Sequence, residues 1–379
     1  MKSSAIILAA LLAVSCSKKS ETDASDAGNS NPPATSKVTQ TPYGEIETQM
    51  EQAPSSDTIP EIFSRIESQA RGMKLPGKIV FWRGGQLYLM NADGGNQQHI
   101  LKVAKNGYGK ISWAPDAKRI TFAARGKVNI EFPVAGGLNA PVYDIFTTHI
   151  DSFNWYTQLT DNFGTSYPDW SRDGKTIWAS VDLSANKFNN LFEPSSPNYQ
   201  LFKANLGSDT FTTNIYSCPS SGKVKEYVLQ PALSPDGRKM AFTLAATNQQ
   251  GIPGVVGLVI VPAGEIKLGF EELLREALKR PKGYAASWSP DGKEIAYVSP
   301  KSGKSDLHLM SADGSGERLL LASNDFYTIN STAPGWSPDG KWLCFGSAEG
   351  SIYIVSKDGK KVLQLTQTDS DMHPAWSPK

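Results

Sequence analysis

One phrase recurs six times along the chain and restricts the fold more than any other feature. It reads Pro334-Gly335-Trp336-Ser337-Pro338-Asp339-Gly340-Lys341 and Ala286-Ser287-Trp288-Ser289-Pro290-Asp291-Gly292-Lys293 in full. Looser copies are Ile111-Ser112-Trp113-Ala114-Pro115-Asp116-Ala117-Lys118, Pro168-Asp169-Trp170-Ser171-Arg172-Asp173-Gly174-Lys175 and Pro231-Ala232-Leu233-Ser234-Pro235-Asp236-Gly237-Arg238. The sixth, Pro374-Ala375-Trp376-Ser377-Pro378-Lys379, stops partway through. Pro-Asp-Gly between apolar runs is a turn with a mechanism: Pro presets φ, Asp folds its side chain onto the following backbone, and Gly accepts positive φ. The Trp before it and the apolar triplet after it, such as Ile295-Ala296-Tyr297, are therefore expected as two strands of one hairpin.

A second marker, at a distance of about one hairpin, recurs in three of the repeats. Leu87-Tyr88-Leu89-Met90-Asn91-Ala92-Asp93-Gly94 is echoed by Leu307-His308-Leu309-Met310-Ser311-Ala312-Asp313-Gly314 and by Ile352-Tyr353-Ile354-Val355-Ser356-Lys357-Asp358-Gly359. A further strand comes after it, as in Val362-Leu363-Gln364-Leu365-Thr366, so each repeat reads as a four-stranded meander. The repeat shortens toward the C-terminus to the roughly 40–45 residues of a propeller blade, and longer repeats carry insertions. The strands missing after residue 379 are supplied from the other end by residues 77–101. The expectation is an all-β, six-bladed β-propeller over residues 77–379, its ring closed by a blade shared between N- and C-terminal strands, which leaves no free sheet edge at the junction.

This pairing of Trp-Ser-Pro-Asp-Gly-Lys with Leu-Tyr-Leu-Met-Asn-Ala-Asp-Gly resembles the WD-like repeat of the TolB β-propeller family. The resemblance covers residues 77–379 and does not extend to the α/β domain that precedes the propeller in TolB. It implies a binding platform in the bacterial envelope whose partner is another envelope protein or peptide, such as a peptidoglycan-associated lipoprotein.

Upstream of the repeats the chain changes character. Met1-Lys2 and an apolar run from Ala5 to Val14 form a segment too short to span a bilayer, with the layout of a secretory signal. Ala13-Val14-Ser15-Cys16 resembles a lipoprotein lipobox, which implies a signal peptide over 1–15 and lipidation (palmitate included) at Cys16. Ser17 in place of Asp favours the outer membrane facing the periplasm, with surface display as the alternative. Residues 16–57 are polar and nearly free of large apolar side chains, so they are expected to form a disordered tether. Residues 58–76 read as a short helix and linker, with Thr58 and Glu61 as its capping box.

Net charge is +1, so no broad field attracts nucleic acid, and a monomer held to the membrane by its lipid is expected. Of three cysteines, Cys218 and Cys344 fall three blades apart and should remain free buried thiols. Two insertions stand out. Lys187–Phe211 carries Phe188, Phe192, Tyr199 and Phe202 among Asn, Pro and Ser, and these four aromatics are candidate binding residues. Gly269–Lys282 carries Phe270, Leu273, Leu274, Ala277 and Leu278 at helical spacing, a helix expected to cap the core.

The search for chemistry is mostly negative. The chain has no Gly-x-Ser-x-Gly elbow, no P-loop, no His-Glu-x-x-His and no Cys-x-x-Cys. His373 stands three residues before its Trp, and the equivalent places are Lys110, Tyr167, Gln230, Ala285 and Ala333. These are expected to ring one mouth of the channel, with Lys110, Tyr167, Asp169, Gln230 and His373 as its polar binding groups. One His in six positions is a poor metal site, so no metal or cofactor and no catalytic residue is assigned. The reading is a non-catalytic platform. The alternative is a polysaccharide lyase or hydrolase with its site at the channel mouth.

Overall fold

The computed structural model describes residues 39–41, 44–46, 70–101, 107–125, 131–134, 138–141, 143–151, 155–160, 164–182, 199–206, 226–247, 253–263, 270–324, 329 and 332–379. Cys16, Phe188, Phe192, Cys218 and residues 58–69 of the expected helix and linker lie outside them. Thr39–Thr41 pairs antiparallel with Gly44–Ile46 in a separate unit, so a short hairpin stands within the stretch expected to be disordered. Among the described residues no helix is long and apolar enough to cross a membrane.

Six antiparallel sheets form the blades of a six-bladed β-propeller. Blade 1 is the shared one: Asp371–Trp376 is innermost, followed outward by Lys78–Arg83, Gln86–Asn91 and Gln98–Leu101. Its closing register pairs Asp371 with Arg83 and Trp376 with Ile79. The C-terminal strand thus begins at Asp371, three residues before the repeated phrase itself. Blade 2 runs from Tyr108–Trp113 through Arg119–Arg125 and Tyr143–His149 to Thr157–Gln158. An extra hairpin of Glu131–Val134 and Leu138–Pro141 is inserted in this blade's sequence. Blades 5 and 6 begin at Tyr284–Trp288 and Gly335–Trp336 and have four strands each.

Blades 3 and 4 depart from the four-strand expectation. Among the described residues each has three, beginning at Thr165–Trp170 and Glu226–Leu233. In blade 4 the helix Phe270–Leu278 packs on the outer strand Pro253–Pro262. It buries Leu273 and Ala277 against Phe242, Val259 and Val261, as the sequence led us to expect. Leu278 departs from the expected stripe, because its side chain points to solvent and is 69% exposed, and Leu274 is half-buried.

The inner and middle strands bury both faces, since blades stack face to face, whereas outer strands such as Gln98–Leu101 and Arg318–Leu321 begin exposed. Ile79 and Phe81 pack toward Ile352 and Ile354 of blade 6, whereas Val80 and Trp82 pack toward Ile120 and Phe122 of blade 2. Alternating side chains therefore serve two different interfaces, which explains why the strands are apolar at successive positions.

The phrase works as a local device at each turn. Ser171 Oγ donates to Asp173 Oδ1 at 2.6 Å and accepts from Thr176 N at 2.9 Å, while Asp173 Oδ1 accepts from Lys175 N at 3.0 Å. The same triad recurs around Ser234 and Asp236, Ser289 and Asp291, and Ser337 and Asp339. The hydroxyl and amide donors hold the Asp173, Asp236 and Asp291 carboxyls below the usual carboxylate range. Gly174, Gly237, Gly292 and Gly340 take φ of 67–72°, and Ala117 must take φ 58° where its copy lacks the Gly.

The Trp of the phrase ties blades together. Trp113 Nε1 donates to Ala375 O at 2.9 Å, Trp288 Nε1 to Ala232 O at 2.9 Å and Trp336 Nε1 to Ser287 O at 3.3 Å, each acceptor standing in the preceding blade. Trp376 Nε1 instead donates to Pro76 O at the entry to blade 1, at 2.8 Å. The Trp170 indole N–H has no hydrogen-bond partner among the described residues, and Arg119 lies 4.9 Å over its ring.

Candidate functional site

The innermost strands of all six blades surround a cavity of about 290 Å³ along the propeller axis. Five indoles and Leu233 form its waist, and Pro235, Pro290, Pro338 and Pro378 of the turns form its rim. The phrase creates this lining because it places an aromatic on the innermost strand and a Pro at the turn that ends that strand. The site is therefore the inner surface of the repeat itself.

Three of the five expected polar residues meet at this cavity: Lys110, Asp169 and His373. Lys110 Nζ lies 2.5 Å from Asp169 Oδ1 and also donates to Pro231 O at 3.0 Å. The second carboxylate oxygen, Asp169 Oδ2, accepts from Leu233 N at 2.8 Å. This ion pair joins blades 2, 3 and 4 and is less than one-fifth exposed, so its charges satisfy each other within the wall. His373 is 4% exposed, and burial pushes its imidazole down to about 3, which keeps it neutral at physiological pH.

Tyr167 and Gln230 do not belong to the mouth. Gln230 is 4% exposed, and its Oε1 accepts from Thr243 Oγ1 at 2.9 Å and from Ala285 N of the next blade at 3.0 Å. Its amide is an inter-blade tie. Tyr167 is also buried, with its ring facing Gly109 of blade 2. The reason is a β-bulge in the inner strands of blades 1, 3, 4 and 5, which sets Tyr167, Gln230, Ala285 and His373 at φ of 53–55° and turns Tyr167 and Gln230 from the expected course, while His373 still borders the cavity from a buried position. In blade 2 the left-handed position falls on Gly109, because one more residue is accommodated there than in the other bulges. Spacing from the Trp therefore aligned Lys110 with residues that are not its structural equivalents.

The aromatic insertion is also redrawn. Tyr199–Asn205 is the third strand of blade 3, and Phe202 is 2% exposed in the core with Ala123, Ile145 and Val181. Phe202 is a packing residue and not part of a binding loop, while Tyr199 opens the same strand. Arg172, which sequence reasoning passed over, lies on the cavity rim where the other copies have Pro. Its signal was available as the one substituted Pro in the repeated turns.

Among the described residues no three His, Cys, Asp or Glu side chains come together as a metal site. The other acidic residue near the channel strand, Asp371, is fully buried and held by Arg83 through bonds of 2.6 and 2.8 Å.

Residues 208–379 match the family model of the TolB beta propeller domain. An uncharacterized protein of Agrobacterium fabrum is 25% identical over 215 residues, covering 56% of this chain and 61% of that protein. An uncharacterized peptidase of Bacillus subtilis, YuxL, is 30% identical over 147 residues, covering 38% of this chain and only 20% of the peptidase. The chain thus spans less than two thirds of either relative. Among solved structures, TolB from Acinetobacter baumannii superposes with a TM-score of 0.55 at 17% identity, over 80% of this chain and 68% of that one.

Proposed function

We propose that this chain, a TolB-like six-bladed propeller, is a non-catalytic platform that takes a segment of another envelope protein or peptide into its axial cavity. The observation that carries the reading is the lining: indoles and prolines surround the cavity, while the Lys110–Asp169 pair is neutralised within the wall. Such a surface recognises apolar and aromatic side chains by burial and stacking, as interface hot spots do. Acid–base chemistry requires a carboxylate or imidazole that is open to the substrate and able to change protonation state; Asp169 and Asp371 are both engaged by cations, and His373 is 4% exposed and held neutral by burial.

The rest of the chain supports an envelope setting. A signal peptide over 1–15, lipidation at Cys16 and a tether over 16–57 would hold the propeller at the outer membrane, facing the periplasm. A peptidoglycan-associated lipoprotein is the partner class that the family resemblance favours. The test is site-specific photocrosslinking in living cells with the reactive residue at Pro338 on the rim or, as control, at Lys360 on the outer edge. One protein captured from Pro338 alone, and lost when Ala375→Trp fills the cavity, is the expected result. Identical capture from both positions would reject the platform. Separately, Cys16→Ala should release the chain from the membrane fraction.

A further inference from the structure

The packing of one turn's Pro under the next turn's Gly fails at the seam between blades 3 and 4, and the residue that replaces the Pro there is charged. At the turns, the Pro of one blade packs under the Gly of the next. A Cβ added to Gly174 would meet Pro115 Cδ at 3.8 Å, one on Gly292 would meet Pro235 Cδ at 3.6 Å, and one on Gly340 would meet Pro290 Cδ at 3.8 Å. Blade 3 has Arg172 instead of Pro, and a Cβ on the following Gly237 would meet nothing within 4 Å. The same seam lacks its indole tie, because blade 4 has Leu233 in the Trp position. The collar of turns is therefore open between blades 3 and 4.

A hollow of about 490 Å³ lies over the turns of blades 4 and 5, and Arg172 of blade 3 borders both it and the axial cavity. Arg172 is exposed, and no carboxylate pairs with it among the described residues. Lys239 also borders the hollow, as do Asp236 and Asp291. Those two carboxylates are folded back on their own turns, each accepting from a Ser hydroxyl and a backbone N–H. Deeper in the cavity, Lys110 is already committed to Asp169.

We propose that Arg172 makes the cavity selective for an acidic side chain. The partner segment places an apolar side chain among the indoles and sets the carboxylate of a neighbouring Asp or Glu against the Arg172 guanidinium at the rim. This deepens the platform reading and rests on it. An exposed planar guanidinium at the rim suits a carboxylate because it offers two parallel N–H donors. The polarity of the cavity also selects an internal acidic residue over a chain terminus. A terminal carboxylate entering first would reach the apolar, internally neutralised depth, whereas the available cation stands at the entrance.

The test uses the full chain and random linear peptides on phage, displayed once with blocked and once with free C-termini. Peptides enriched from the blocked library should combine an aromatic residue or Pro with a nearby Asp or Glu. Arg172→Glu should exchange that acid for Lys or Arg. Arg172→Pro, which restores the residue of the other copies and so guards against misfolding, should leave apolar selection without charge preference. The best acidic peptide should bind Arg172→Pro roughly two- to fivefold more weakly than the parent, and the parent's binding should weaken as salt is added. Apolar peptides enriched without an acid, an acid preference unchanged in Arg172→Glu, or one seen only with free C-termini would overturn the inference and leave the platform standing. No enrichment from either library would overturn both.

Discussion

Closure of the ring depends on a strand from each end of the chain, and one ion pair tests how much that closure contributes. Arg83 Nε and Nη2 donate to Asp371 Oδ1 and Oδ2 at 2.6 and 2.8 Å, with Asp371 fully buried and the Arg83 side chain 25% exposed. Removing one partner of a fully buried pair costs about 3–5 kcal/mol because the other charge is stranded. Arg83 would be less stranded: its head keeps some water, its bond to Gln97 and its place over the Phe81 and Tyr88 rings. Asp371→Asn preserves shape and one acceptor, so the expected loss is about 2 kcal/mol. A double-mutant cycle with Arg83→Met removes the aromatic and Gln97 contributions and should leave a coupling of roughly 1.5–2 kcal/mol. Urea unfolding followed by tryptophan fluorescence gives all four stabilities, provided the m-value is unchanged. Coupling below about 0.5 kcal/mol would refute the reasoning and leave closure to the backbone ladder and the apolar faces.

Three other perturbations follow from the same structure. Ala117 occupies the left-handed turn position that Gly fills in most copies, so Ala117→Gly should stabilise the protein by about 0.5–1 kcal/mol, an unusual sign for this change; a lower urea midpoint would contradict it. His373 is buried and neutral, with its folded value near 3 against 6.5 when unfolded, so the unfolded chain takes up the proton first. Stability should fall as pH drops from about 6.5 toward 3, with His308, also lowered by burial, adding to the slope. His373→Asn, which tolerates φ near 53°, should flatten that decline, and an unchanged slope in the variant would show that His373 is not its source. Burial pushes the Cys344 thiol up to about 12, so aromatic disulfide reagents should modify it only on unfolding; rapid labelling under native conditions would mean that blade 6 opens locally.

The sequence by itself determined what depends on near neighbours. Pro-Asp-Gly turns, strand alternation and the count of six copies specify hairpins and their number, because a turn's φ preferences and a serine's reach to an aspartate two residues on are local properties. Ring closure was legible for the same reason: the missing strands of the last copy had one possible source, and Asp371–Trp376 pairs with Lys78–Arg83 accordingly. Side-chain direction was not legible. A bulge shifts orientation without changing composition, so Tyr167 and Gln230 read as a polar mouth although the fold turns them into the blade interfaces. Phe202 read as a loop aromatic because only pairing with Thr176–Asp182 makes its stretch a strand. Arg172 was visible as a departure from the repeat, but its meaning depends on Gly237 and Leu233 in the next blade, over sixty residues away along the chain and adjacent at the seam. Local preferences set the parts, and the packing of distant blades decided which side chains face the cavity.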